Sequence, residues 1–233
     1  MPVSFVIPCY EEEEALAALR PHLGSIPADE VVFVDDGSTD GTAAALAALA
    51  AADERVRVTT HERNRGVGAA MRTGIQATTG DVVIVYDADR TYPLEDAKRL
   101  IDALQGEISI ATATPFGAGG GLEDVSVGRS FLSKAAVWAY RLVLGRRARH
   151  LSVFTCAFRA YRGDAVRALT WRSDGFPAAA EMLGRALLAG AVVSEVPSTL
   201  RRRTEGSSKM RVVSASLGHL GTLWRLAWAR VFG

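Results

Sequence analysis

Short runs of β-branched and apolar residues alternate with Ala- and Leu-rich stretches through the first half of the chain. Val3–Pro8, Val31–Asp35, Val56–Thr60 and Val82–Tyr86 have the length and composition of buried strands. Between them, Glu11–Leu23, Thr42–Ala51, Val67–Thr78 and Leu94–Leu104 carry helical spacing, the second beginning after the turn-forming run DDGSTDG. Strands that alternate with helices of about three turns predict an α/β fold, a mostly parallel sheet covered by helices on both faces.

The pattern changes after a fifth strand at Ile108–Ala111. The segment PFGAGGGLEDVSVG reads as a loop, and its Gly117–Gly121 run suits either a lid or a slack surface turn. Phe131–Leu144 is a largely apolar helix with Lys134 and Arg141, placed to border a groove or to fill the core. Val153–Tyr161 alternates like a strand, Ala178–Leu188 is helical and Val192–Pro197 is strand-like. RRRTEGSSKM forms a polar basic loop, and Val212–Phe232 an amphipathic helix. No run of 18 uninterrupted apolar residues offers a bilayer span. With no internal repeat and no long linker, residues 1–233 are expected to form a single domain ending in an amphipathic helix at about 211–232.

Hydrophobic residues make up 48% of the 233 and charged residues 23%, which excludes a disordered, collagen-like or acidic solvating chain. The net charge of +1 hides a separation. Residues 1–128 hold 9 Lys and Arg against 21 Asp and Glu, whereas residues 129–233 hold 18 against 5. Such asymmetry points to an anionic partner for the second half: phosphate, nucleic acid or a membrane surface. Arginine-rich composition on solvated faces would explain the scarcity of lysine (Lys98, Lys134 and Lys209 only), but not the confinement of the acids. Two cysteines, Cys9 and Cys156, cannot build a disulfide framework, so a reducing compartment is expected. The start of the chain meets four acids almost at once, which argues against a signal peptide.

In open parallel sheets, ligands gather outside the carboxyl ends of the strands. Three polar clusters fall there: Pro8 to Glu12, Asp35 to Ser38, and Asp87-Ala88-Asp89. Any one alone would pass for solvated turn residues. Three in register bring carboxylates side by side, where they repel unless a cation or hydrogen-bond donors sit among them. A divalent metal with a phosphorylated ligand meets that need, because hard cations take oxygen ligands and bridge to phosphates. In Asp87-Ala88-Asp89, alternate residues on an extended strand end point the same way, so both carboxylates can face one pocket.

The segments VIPCYEEEEAL, VVFVDDGSTDGT, NRGVGAAMRTGIQATTGDVVIVYDADRTYP, FRAYR, GFPAAAEM and EVPSTLRRRTEGSSKM resemble glycosyltransferase family 2. Within it they are most similar to the dolichol-phosphate (polyprenyl-phosphate) mannosyltransferase group, in the right order over nearly the whole chain. The resemblance implies a GT-A fold, Mg²⁺ or Mn²⁺, and inverting transfer of a sugar to a polyprenyl or dolichyl phosphate. The implied donor is a nucleotide sugar, GDP-mannose in the first instance, with a UDP-sugar or a soluble acceptor as the alternative.

Matched position by position, it implies that Pro8, Tyr10, Glu12, Val34 and Asp36 line the base and ribose pocket. Asp87, Ala88 and Asp89 would meet the ribose, diphosphate and metal, with Asp89 the principal metal ligand. Arg203 and Lys209 would clamp the diphosphate; Arg129, Ser133 and Glu181 would serve the acceptor. Four positions depart from the family pattern. Glu11 stands where Asn is usual, Thr91 for a polar amide, Ala113 for an arginine and Val153 for an acid. These bear on the sugar, the metal geometry and the acceptor, not on the donor core.

Other signals weigh less. GVGAAM follows the third strand and lacks the third glycine of a dinucleotide fingerprint, so helix packing explains it better than redox chemistry. Nucleic acid is not expected as a partner, since Trp138 and Tyr140 lie in an apolar helix rather than among exposed arginines. His22, His61, His150 and His219 show no metal-ligand spacing and read as surface or core residues, so a His61→Ala variant is expected to stay near normal. Cys9 reads as a small buried filler. Leu217, Leu220, Trp224, Ala227, Trp228 and Val231 recur at helical spacing, which suits either a helix lying in a membrane interface or one packed on the sheet. The first option implies peripheral attachment to the cytoplasmic face of the cell membrane.

Overall fold

The computed structural model describes residues 1–124, 127–203, 205 and 212–232; the side chains of 127, 129–132 and 212–214 lie outside that description. The first strand, β1 (Val3–Cys9), sends alternate residues to opposite faces: Phe5 and Ile7 join one core cluster, Val6 the other. It is followed by α1 (Glu13–Leu19), β2 (Glu30–Asp35), α2 (Thr42–Ala52), β3 (Val56–Thr60), α3 (Val67–Ala77), β4 (Val82–Val85), α4 (Asp96–Asp102) and β5 (Ile108–Thr114). The expected helix over Glu11–Leu23 is shorter than its apolar pattern. It tightens into a 3-10 turn at Arg20–Ser25, where Pro21 lacks the amide hydrogen an α-helix needs.

The second half contains β6 (Gly121–Glu123), α5 (Val127–Leu144), β7 (Arg159–Arg162), α6 (Gly163–Ala168), α7 (Ala178–Leu188), β8 (Val192–Pro197), β9 (Thr199–Arg201) and α8 (Val212–Phe232). Only the end of the expected Val153–Tyr161 strand pairs. Val153, Cys156 and Phe158 pack into one core layer and Phe154 into the other, so the alternation reflects burial on two faces without a ladder. The fully buried Arg159 holds this segment instead, donating from Nη2 to the Phe154 carbonyl at 2.6 Å and from Nε to Thr112 Oγ1 at 3.0 Å.

Seven strands form the central sheet in the order β3-β2-β1-β4-β7-β5-β8; β7 alone runs antiparallel to both neighbours. The short β6 and β9 pair in parallel as a separate ribbon. One core layer, with Leu16, Leu46 and Leu100, covers the sheet on the side of α1, α2 and α4. The other gathers Met71, Tyr140, Leu183 and Leu226 from α3, α5, α7 and α8. Chain order reverses at β1: the path runs outward to β2 and β3, then returns to β4 on the other side. At such a reversal open α/β sheets bind their ligands, which places the candidate crevice above the carboxyl ends of β1 and β4.

Candidate active site

The loops after β1 and β2 are sewn together. Asp36 N donates to the Cys9 carbonyl (2.8 Å), Glu11 N to Ser38 Oγ (3.0 Å) and Glu12 N to Thr42 Oγ1 (2.8 Å). Glu11 adopts φ 54, a left-handed conformation that costs a non-glycine residue about 1–2 kcal/mol. Its carboxylate offsets part of that by accepting from Thr39 N and Oγ1 at 2.8 and 2.9 Å. This is what Glu does at the position where Asn is usual.

Asp36 is buried and its carboxylate faces the loop after β3. Oδ1 accepts from Arg65 N (2.9 Å) and bonds His61 Nδ1 (2.7 Å); Oδ2 accepts from Gly66 N (2.7 Å). The next residue, Gly37, has φ +72, and a Cβ there would stand 2.5 Å from Arg63 Cα. Val34 does not open into the crevice through its side chain, which is fully buried beside Val32 and Ala70 under α3. Gly66 and Gly68 owe their place to close packing: a Cβ on either would lie 2.4 Å from a carbonyl oxygen of the 173–174 loop. The helix-packing reading of GVGAAM is the one the structure bears out.

After β4, Asp87 and Asp89 enter the crevice with Ala88 buried between them. Arg90, at φ 53, turns the chain, and Thr91 N donates to Asp89 Oδ1 at 3.2 Å. Arg203 arrives from the segment after β9. It pairs with Glu12 and stands 3.6 Å from Asp89 Oδ2, all three side chains being largely buried. β9 is held to the acidic loop by Arg201 N, which donates to the Thr91 carbonyl at 2.8 Å. Burial, reinforced by the charges of Asp89 and Glu12 and opposed by Arg203, pushes the Asp87 carboxyl up to about 7.

Among the described residues, no three His, Cys, Asp or Glu side chains are gathered tightly enough to hold a metal unaided. Two carboxylates that repel each other in a buried crevice nevertheless fit a hard cation whose remaining ligands are phosphate oxygens and water. Asp87 and Asp89 are the residues that would hold it.

Ser133 lies half-buried on α5, while the Arg129 side chain and Lys209 fall outside the described residues. Glu181, on α7, is fully buried, and its carboxylate is filled by local donors. Arg172 N and Arg185 Nε reach Oε1; Ser173 N, Ser173 Oγ and Arg225 Nη2 reach Oε2. Burial alone would raise this carboxyl, but the bonds from Ser173, Arg185 and Arg172 N, with the charge of Arg225, pull it down to about 2. In this structure Glu181 fastens α8 to α7.

α8 packs on the protein's own helices along one face. Thr222 and Leu226 are buried, but against α5 and α7 rather than the sheet. Leu220, Trp224 and Trp228 stay exposed, Trp224 at 67%. On α5, Val137 and Tyr140 are core, whereas Trp138 (69% exposed) and Leu142 are exposed. Cys9 is the expected buried filler, its thiol pushed well up by burial. His61 is the buried kind of the surface-or-core histidines expected, and what spacing did not show is its bond to Asp36, legible only from its place at the end of β3, level with Asp35 and Asp36.

The family model described as Glycosyl transferase family 2 matches residues 4–170. A dolichol-phosphate mannosyltransferase of Pyrococcus furiosus is 30% identical over 91% of this chain, which spans 60% of that relative's length. An undecaprenyl-phosphate mannosyltransferase of Micrococcus luteus is 30% identical over 97% of this chain and 95% of its own. Among solved structures, glucosyl-3-phosphoglycerate synthase from Mycobacterium tuberculosis, crystallised with Mn²⁺, UDP and glucosyl-3-phosphoglycerate, superposes with a TM-score of 0.72. It is 18% identical, over 97% of this chain and 80% of its own, and that likeness shows the GT-A fold.

Proposed function

The chain belongs to glycosyl transferase family 2, and from that premise we propose that it moves a sugar from a nucleotide-sugar donor to a polyprenyl or dolichyl phosphate. The donor we assign is GDP-mannose and the cofactor Mg²⁺ or Mn²⁺, with inversion at the sugar carbon. One domain, residues 1–233, carries the reaction. The observation that supports this most directly is the convergence of Glu12, Asp87, Asp89 and Arg203 at the point where strand order reverses.

Cleaving a sugar–diphosphate bond builds negative charge on the leaving group. A divalent cation held by Asp87 and Asp89 supplies charge neutralisation for that diphosphate. Arg203 supplies further positive charge on the same side, with donor entry exchanging its pair with Glu12 for phosphate contacts, and Lys209 is assigned the same role from the R-x-x-G-x-S-K pattern alone. Pro8, Tyr10 and Asp36 frame the nucleoside, and Val34 contributes only through the packing of β2 under α3. An acceptor phosphate monoester, with a second pKa of about 6, is already ionised near neutral pH and attacks without a general base. Arg129 and Ser133 hold it, and Glu181 secures the helices beside it.

Peripheral contact with the cytoplasmic face of the cell membrane completes the proposal. No described helix is long and apolar enough to cross a membrane. α5 and α8 contain no Asp or Glu, carry Lys134, Arg141, Arg225 and Arg230, and expose Trp138, Trp224 and Trp228. Basic helices with outward tryptophans suit the headgroup region of an anionic bilayer.

Thermal shift with GDP, UDP and their sugars, with and without Mn²⁺, tests the assignment. Metal-dependent stabilisation by GDP-mannose supports it. A response confined to UDP and its sugars turns it toward glucosyl-type donors, and no response to any nucleotide overturns it.

A further inference from the structure

His61 sits at 7% exposure at the end of β3, between Asp36 (2% exposed) and Thr73 on α3. Its Nδ1 lies 2.7 Å from Asp36 Oδ1 and its Nε2 lies 2.9 Å from Thr73 Oγ1, so both ring nitrogens are engaged. Its own N donates to the Asp35 carbonyl at 2.8 Å. A buried imidazole held at both ends has one orientation.

The segment that follows cannot hold itself. Residues 62–65 are all exposed, so no apolar burial fixes them. Their conformation depends on the two Asp36 oxygens that receive Arg65 N and Gly66 N, and on the tight approach of Gly37 to Arg63. Asp36 can grip this loop only if its carboxylate plane is set, and His61 sets it through Oδ1, the oxygen that also takes Arg65 N. The chain of contacts Thr73–His61–Asp36–loop therefore fixes the wall of the crevice beside the carboxyl ends of β2 and β3. Three of the roughly four lone-pair positions of the carboxylate are used, which leaves Oδ2 capacity for one incoming donor.

We infer that His61 is a positioning residue for the donor's nucleoside, acting through Asp36 on the 62–66 loop. This rests on the nucleotide-sugar reading above, and it reverses the expectation, drawn from spacing alone, that His61 is dispensable. His61 touches no reacting atom; its removal costs nucleoside affinity rather than the bond-breaking step.

The test is calorimetric titration of GDP and UDP with Mg²⁺ into the full chain, alongside donor KM and kcat, for wild type, His61→Ala, His61→Asn and Thr73→Val. In His61→Ala, nucleotide affinity is expected to fall and donor KM to rise about tenfold, with kcat within about twofold. The Asn amide nitrogen stands near the place of Nδ1, so His61→Asn should recover affinity to within about threefold of wild type. Thr73→Val keeps the Asp36 pair but releases the far nitrogen, and should fall between. Wild-type affinity in His61→Ala overturns the inference. A loss that Asn does not recover marks His61 as core filling and overturns it too, as does a loss confined to kcat. Should His61→Ala fail to fold, unchanged affinity in Thr73→Val overturns it. Wild-type protein that takes up neither nucleotide defeats the nucleotide-sugar reading itself, and the inference with it.

Discussion

Arg203 Nη1 lies 3.6 Å from Asp89 Oδ2, joining the segment after β9 to the acidic loop after β4. The same guanidinium pairs with Glu12 after β1, so a single cation ties three strand ends together. Replacing it removes both this tie and a positive charge beside the leaving group. We expect Arg203→Ala to lower kcat/KM by about 10² or more, in line with loss of a donor that stabilises developing charge. Arg203→Lys should recover only part, because an ammonium cannot bridge two carboxylates as a planar fork does. Steady-state kinetics with donor varied checks both.

Asp89 is held at Oδ1 by Thr91 N and faces Arg203 with Oδ2. Asp89→Ala is expected to abolish transfer, by about 10³ or more, and to erase the extra stabilisation that Mn²⁺ confers with nucleotide. An active Asp89→Ala enzyme in a single-turnover assay would remove the metal assignment.

Glu181 gives a pH dependence of known sign. Its carboxyl is near 2 in the folded protein against about 4.5 ordinarily, so the unfolded state binds the proton more readily. Its contribution is complete above about pH 4.5 and is lost as pH falls through about 2. Acid unfolding followed by tryptophan fluorescence should therefore show a shallower loss of stability over that interval in Glu181→Gln than in wild type. The same variant should be less stable at pH 7, because Ser173, Arg185 and Arg225 lose their charged acceptor.

Trp224 and Trp228 lie side by side along the exposed side of α8, their rings tilted with centroids 5.9 Å apart. They make no contribution to the buried Thr222–Leu226 face. Trp224→Ser with Trp228→Ser is expected to weaken sedimentation with anionic vesicles about tenfold or more at low salt, each lost indole removing a large interfacial side chain. The melting temperature should stay within a few degrees of wild type. Full sedimentation of the double variant would remove α8 from the membrane assignment.

The elements of the first half were legible in the sequence because each carries its own period. Val56–Thr60 matches its expected bounds, and α2 and α3 lie within a residue of theirs. The three-residue strands β6 and β9 were not, since neither has enough length for a pattern and each finds its partner far along the chain. α6 was missed for the same reason of length. Val153–Phe158 misled in the opposite direction: it has a strand's alternation, but its backbone is tied by Arg159 and by Glu195, which accepts from Val153 N. At the site, the strand-end position of the acids was readable, but the engagement of His61 was not.

What the sequence determined by itself were the α/β order, the carboxyl-end location of Glu12, Asp36, Asp87 and Asp89, and the apolar stripe of α8, because local spacing encodes each. Only the tertiary structure decided that Arg203 meets Glu12 and Asp89, that His61 holds Asp36, and that Glu181 serves the α7–α8 joint. Those pairings join residues far apart in the chain. They depend on how the strands order themselves around β1 and on which helix faces the packed core consumes, and no local period carries that information.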